Sequence, residues 1–231
     1  MITILQVKKE LKKLANPKKA KDLQWFFKTG KGEYGEGDIF LGITVPKLRA
    51  TAKKYNDISF VDIKKLITSK YHEERFIALL FLTHKFETDP KKVFDFYLKN
   101  AKHINNWDLV DVSAHKIVGA YLVDKKRDVL YKLAKSKLLW ERRIAIIATF
   151  WFINRGDFKD ATKLATLLVK DEHDLMHKAV GWVMREVGKQ SLKTEEAWLK
   201  KYYKTMPRTM LRYAIEKFPE SKRKKYLEGK I

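Results

Sequence analysis

Arg142-Arg-Ile-Ala145, two cations followed by a small residue inside an apolar run, is the segment on which the fold is read, because it recurs. Glu74-Arg-Phe-Ile-Ala78, Val112-Ser-Ala114, Lys178-Ala179-Val180 and Leu211-Arg-Tyr-Ala214-Ile215 are variants of it. Alanines then fall at 78, 114, 145, 179 and 214, separated by 36, 31, 34 and 35 residues. A recurrence of roughly 30–40 residues is what a stacked helix pair per repeat produces. Alanine suits the point where one inner helix crosses its neighbour, since only a small side chain fits there. The reading is therefore all-α: a superhelical solenoid of helical repeats forming one domain over residues 1–231. In such an array the second helices line a concave groove, and a residue one turn before each alanine should face it. Those positions hold Arg75, Asp111, Arg142 with Arg143, and Met176 with His177. Basic groups dominate, so the groove is expected to be positive and able to cradle a duplex.

The rest of the chain agrees with helical period. Leu5, Leu11 and Leu14 are expected to line an opening helix. Asn16-Pro17 and Asp89-Pro90 read as a cap followed by a first-turn proline. Thr44-Val45-Pro46 starts a helix, and Ser59 caps one over Phe60 to Ile67. No stretch alternates in the way a half-buried strand must. Five of the ten glycines lie between Gly30 and Gly42, which marks the one real loop.

Composition narrows the partners. With 50 lysines and arginines against 28 acids the net charge is +22, which draws phosphates to the surface. Nucleic acid is the leading partner. The absence of cysteine excludes disulfides, thiolate catalysis and cysteine-based zinc sites, and it suits a reducing cytoplasm. The N-terminus is charged too early for a signal peptide. The longest nearly apolar run, Ile144 to Ile153, is about half of the ~20 residues a membrane span needs. A cytoplasmic monomer with no membrane partner is expected.

Two short segments carry candidate chemistry. In Ile104-Asn-Asn-Trp-Asp-Leu-Val-Asp-Val-Ser-Ala114, Trp107 and Asp111 stand one helical turn apart on one face. Asp108 is turned about 100° away and reads as a first-turn acid favoured by the helix dipole. In Gly181-Trp-Val-Met-Arg-Glu186, Trp182 and Arg185 are neighbours. A tryptophan beside a charge is ordinarily packing at a helix crossing, so neither pair alone assigns a function. Gly30-x-Gly32-x-x-Gly35 has dinucleotide-loop spacing, but it lacks a preceding strand and is crowded by Glu33, Glu36 and Asp38. His173 and His177 have the spacing of a zinc-protease helix, but aspartate stands where the glutamate should and no third ligand follows, so no metal is expected. His177 reads better as a groove contact to DNA.

Taken together, four segments resemble the AlkD-type alkylpurine DNA glycosylases, a family of HEAT-like repeat proteins. They are Gly32-Glu-Tyr-Gly-Glu-Gly-Asp-Ile-Phe-Leu-Gly-Ile-Thr-Val-Pro-Lys-Leu-Arg49, Asn106-Trp-Asp-Leu-Val-Asp111, Arg142-Arg-Ile-Ala and Gly181-Trp-Val-Met-Arg-Glu. The similarity runs from about residue 5 to about residue 220. The resemblance implies excision of positively charged N-alkylated purines, of the 3-methyladenine and 7-methylguanine type, from duplex DNA in base excision repair. No cofactor and no base-flipping pocket are implied. Asp111 matches the catalytic carboxylate, and Trp107 and Trp182 match two tryptophans packed against the sugar-phosphate backbone. Arg143 and Arg185 match residues that hold phosphates. A family phenol corresponds to Phe26, which keeps the ring but loses the hydroxyl; Phe27 is the alternative alignment. The competing expectation is a non-catalytic HEAT-like module that recognises distorted or branched DNA.

Overall fold

A computed structural model describes residues 2–231. Among these residues every regular element is helical, and the sole extended pairing is an isolated parallel bridge between Ile39 and Tyr71. The expected all-α, helical-repeat class is the one found. The chain divides into two compact units, 1–113 and 114–231.

The first unit comprises α1 (Ile4–Leu14), α2 (Pro17–Phe26), α3 (Val45–Lys54), α4 (Phe60–Ile67), α5 (His72–Lys85), α6 (Pro90–Lys99), a 3-10 turn (Ala101–His103) and α7 (Trp107–Ala114), whose last residue opens the second unit. Caps decide where several of these start. Thr3 and Gln6 form a reciprocal capping box at α1. Asn16 accepts from Lys19 N at α2 with Pro17 behind it, and Ser59 accepts from Asp62 N at α4. Thr44 and Asp89 precede their helices without a side-chain cap bond. The buried face of α1 is Val7 and Leu11, whereas Leu5 is 75% exposed, so the opening stripe is narrower than its leucines suggest. Helix α5 is buried continuously from His72 to Leu82 and forms the centre of this unit, against α3 and α4.

The second unit begins with a π-helical turn (His115–Gly119) and continues through α8 (Asp128–Ala134), α9 (Leu139–Ala148), α10 (Phe150–Ile153), α11 (Lys159–Leu167), α12 (Asp174–Gln190), α13 (Leu192–Tyr202), α14 (Arg208–Ala214), a 3-10 turn (Ile215–Lys217) and α15 (Glu220–Glu228). Its centre is α12, which packs on α9, α13 and α14. All five alanines of the repeat are fully buried, as helix crossings require. At two crossings the residue is smaller still. A Cβ on Gly119 would lie 2.2 Å from the Ala148 carbonyl oxygen, and one on Gly181 would lie 2.4 Å from that of Met210.

The groove-facing rule needs correction. Arg75, Arg143 and Met176 are buried, at 4%, 4% and 0% exposure. A residue three positions before a buried alanine shares its helix face, so Arg75 and Met176 go into the crossing with it, whereas Arg143, two before Ala145, is buried where its guanidinium reaches the Leu175 carbonyl.

Candidate active site

Trp107 and Asp111 sit one turn apart on α7, both half-buried. The indole is seated by three neighbours from the first unit. Phe27 stacks on it with ring centres 5.1 Å apart and 15° between planes. Phe26 meets it edge-on at 6.2 Å, and its Nε1 donates to Tyr34 Oη at 3.2 Å. Phe26 is 56% exposed, so it presents its ring to solvent beside the indole, while Phe27 is buried in the wall behind. Both alignments of the missing phenol thus lie at Trp107, and the phenol that does reach the indole is Tyr34, from the glycine-rich loop. Asp111 leaves its mark on Tyr97: burial raises that phenol, the hydrogen bond with Ser113 opposes it, and the negative charge of Asp111 raises it further.

The loop 28–43 is held so that it can seat α7. Glu73, at the start of α5, accepts from the amides of Leu41, Gly42 and Ile43 at 2.8, 2.8 and 3.1 Å. Gly42 has φ +81°, and a Cβ there would lie 2.1 Å from the Asn16 carbonyl oxygen, so only glycine lets the loop pass the start of α2. Asp38 is buried and accepts from Arg75 at 2.6 Å. The amides of Asn105 and Asn106, just ahead of α7, reach its two oxygens at 3.4 Å. His72 lies between Asp38 and Asp108, at 3.2 and 2.8 Å. Asp108 therefore does more than favour the helix dipole; it anchors the first turn of α7. None of Asp38, His72 and Asp108 lies in a periodic pattern, and only the glycine cluster around Asp38 signals a special loop.

Beside this network is a cavity of about 410 Å³, bounded by Phe27, Phe40, His72, Glu73 and Asp108 and otherwise largely apolar. Sequence reading gives no sign of such a hollow. Two carboxylates in its wall are committed, the buried Glu73 to three amides and the half-buried Asp108 to His72.

The candidate residues of the second unit are engaged with their own surroundings. Trp182 is half-buried against Phe150, at 4.6 Å between ring centres. Arg185 pairs with the more exposed Glu216 and lies 3.5 Å from Glu186. Arg142 binds Asp171 through Nε and Nη2 at 2.6 and 3.3 Å, and its Nη1 donates to the carbonyls of Ser136 and Lys137. His177 meets the carbonyl of the same Asp171. Arg142 and His177, both read from the sequence as contacts to DNA, thus meet at one residue, the first at its carboxylate and the second at its backbone carbonyl. His173 caps α12 by accepting from Leu175 N. Arg143 donates to the Leu175 carbonyl at 2.6 Å, which makes it a buried clamp between α9 and α12 rather than a surface contact to phosphate. No helix is long and apolar enough to cross a membrane among the described residues.

Comparison with known proteins adds the lineage. The family model for DNA alkylation repair enzymes matches residues 7–218. Among solved structures, a predicted DNA alkylation repair enzyme from Enterococcus faecalis superposes with a TM-score of 0.67 at 16% identity, over 89% of this chain and 97% of that one. AlkD2 from Streptococcus mutans superposes with a TM-score of 0.55 at 19% identity, over 88% of this chain and 98% of that one. No curated protein matches. At such identities the structures speak for the fold alone, but the family match spans nearly the whole sequence, and the chain belongs to the DNA alkylation repair enzyme family.

Proposed function

We propose that this chain is a monofunctional DNA glycosylase that releases cationic N-alkylated purines from duplex DNA, acting as a monomer. The observation that carries the reading is the seating of Trp107 beside Asp111: an indole fixed by Phe27, Phe26 and Tyr34, one turn from a half-buried carboxylate. The family match and the charge of +22 support DNA as substrate.

A purine alkylated at N3 or N7 already carries positive charge and leaves readily. The protein need only favour the sugar as it becomes oxocarbenium-like. A carboxylate about 4 Å from that cation, at an effective dielectric near 20, is worth roughly 4 kcal/mol, or about a thousandfold in rate. Asp111 fills this role and orients the water that attacks the sugar. Trp107 offers an electron-rich face to the same cation. The cavity behind Trp107 is walled mainly by apolar side chains, and its Glu73 and Asp108 carboxylates are already bonded; this supports chemistry from the backbone side. Phosphate contacts fall to Arg185, which can exchange Glu216 for a phosphate, and to exposed lysines.

The test is release of free 7-methylguanine from a duplex carrying it. Asp111→Asn should keep DNA affinity and lose about a thousandfold in single-turnover rate. Unchanged excision in that variant removes Asp111 from the mechanism. Salt-sensitive binding with no release by the wild type would establish the non-catalytic module instead.

A further inference from the structure

The cluster behind Trp107 contains four ionisable groups whose charges cancel when all four are ionised. Asp38 and Asp108 are the acids; Arg75 and His72 are the bases, with side-chain exposures of 4%, 16%, 5% and 3%. Each ring nitrogen of His72 faces a carboxylate oxygen, Nδ1 towards Asp38 and Nε2 towards Asp108. An ionised carboxylate only accepts, and a neutral imidazole has a single N–H. One of the two contacts would then set a lone pair against a lone pair. With both carboxylates ionised, the geometry is satisfied only by the doubly protonated ring.

We propose that His72, as an imidazolium, is a positioning residue that ties Asp108 on α7 to Asp38 in the glycine-rich loop and so fixes the turn bearing Trp107 and Asp111. Asp38 also holds Asn105 and Asn106, the two residues before Trp107, and the same loop supplies Tyr34 to the indole. The groups facing the ring are Asp38 from the loop, Asp108 from α7, Arg75 and Glu73 from α5, and the rings of Phe27 and Phe40. Burial draws the imidazole down, but the charge and hydrogen bond of Asp108 and the hydrogen bond of Asp38 outweigh it, and the ring is raised to about 9. The tie therefore persists at neutral pH and is released in alkali.

The proposal rests on the glycosylase reading only where it concerns rate; its structural half does not. The protein is labelled with 5-fluorotryptophan, and the Trp107 fluorine signal is assigned by its loss in Trp107→Phe. Between pH 7 and 10 this signal should shift in the wild type with a midpoint near 9. In His72→Gln it should already be displaced at pH 7 and show no such step. A step that persists in His72→Gln belongs to another group and overturns the proposal, as does a wild-type signal that is flat across the range. Should His72→Gln fail to fold, His72→Asn takes its place under the same criterion, and a flat wild-type signal overturns the proposal without any variant. Where 7-methylguanine is released, His72→Gln should slow the single-turnover step at least tenfold while duplex affinity stays within twofold. Equal losses in both would mark a general fold defect instead. If the wild type releases nothing, the glycosylase reading fails while the fluorine titration still decides the role of His72.

Discussion

Gly181→Ala sets two effects of opposite sign against each other. In an exposed helix interior alanine is better than glycine by about 1 kcal/mol, so propensity alone makes α12 more stable. At this position the added methyl would lie 2.4 Å from the Met210 carbonyl oxygen, 2.6 Å from Tyr213 Cβ and 3.2 Å from Ala214 N. Carbon packs at about 3.5–4.0 Å from carbon, so α12 and α14 must part by about 1 Å. The obstructing atoms are backbone and Cβ, and none can swing aside as the end of a long side chain would. Overpacking of this kind costs roughly 1–3 kcal/mol even where the surroundings yield, and here the crossing is the most extensive helix pair of its unit. Repulsion wins, and the net change should be a loss on the order of 2 kcal/mol.

Urea denaturation followed by far-ultraviolet circular dichroism measures this directly, with a lower midpoint at unchanged slope as the expected outcome. A companion variant, Gly119→Ala, faces the Ala148 carbonyl oxygen at 2.2 Å and Trp151 Cβ at 2.8 Å and should lose at least as much. If Gly181→Ala unfolds at the same or higher urea, the close crossing of α12 and α14 is wrong, and glycine there reflects something other than space.

Two further outcomes are expected. Glu195 is buried with Oε1 lacking a hydrogen-bond partner; burial first, and then Glu196, push its carboxyl up to about 8. Its folded value exceeds its unfolded one of 4.5, so folding takes up a proton and stability falls as pH rises from about 4.5 to about 8. Glu195→Gln removes that slope: thermal unfolding should show no advantage near pH 4.5 and one on the order of 2 kcal/mol by pH 8, and an advantage independent of pH would contradict the assignment. Affinity for undamaged duplex should fall at least a hundredfold between about 50 and 200 mM salt, because lysines and arginines release counterions from phosphate; a flat salt profile, measured by anisotropy, would remove the phosphate-gripping surface.

The parts of this molecule legible in the sequence are those governed by local rules. Asn16-Pro17 and Ser59 start helices because a side-chain oxygen two or three residues away is all a cap needs. The alanine recurrence reports the crossings because close packing acts on each alanine separately. What the sequence concealed depends on pairs far apart in the chain. Arg142 looks like a free cation until Asp171 is brought beside it, and Arg143 looks accessible until Leu175 closes over it. Asp38, His72 and Asp108 are separated by 34 and 36 residues, so no window short enough to show periodicity contains two of them. The glycines between Gly30 and Gly42 marked the loop, but not what it holds.

These long-range ties differ in strength, and the difference can be tested. Trp107 is seated by Tyr34 through a neutral hydrogen bond at 3.2 Å, partly open to solvent. Such a bond contributes about 0.5–1.5 kcal/mol, and its loss leaves both partners within reach of water. Removing the charge of His72 instead strands two carboxylates, one of them buried, against a single remaining arginine, and breaking a buried pair this way costs about 3–5 kcal/mol. Tyr34→Phe should therefore lower the thermal midpoint only slightly and leave the Trp107 fluorine signal close to its wild-type position. His72→Gln should move both further. The reverse order would mean that α7 is seated by its indole, with the buried charges only following.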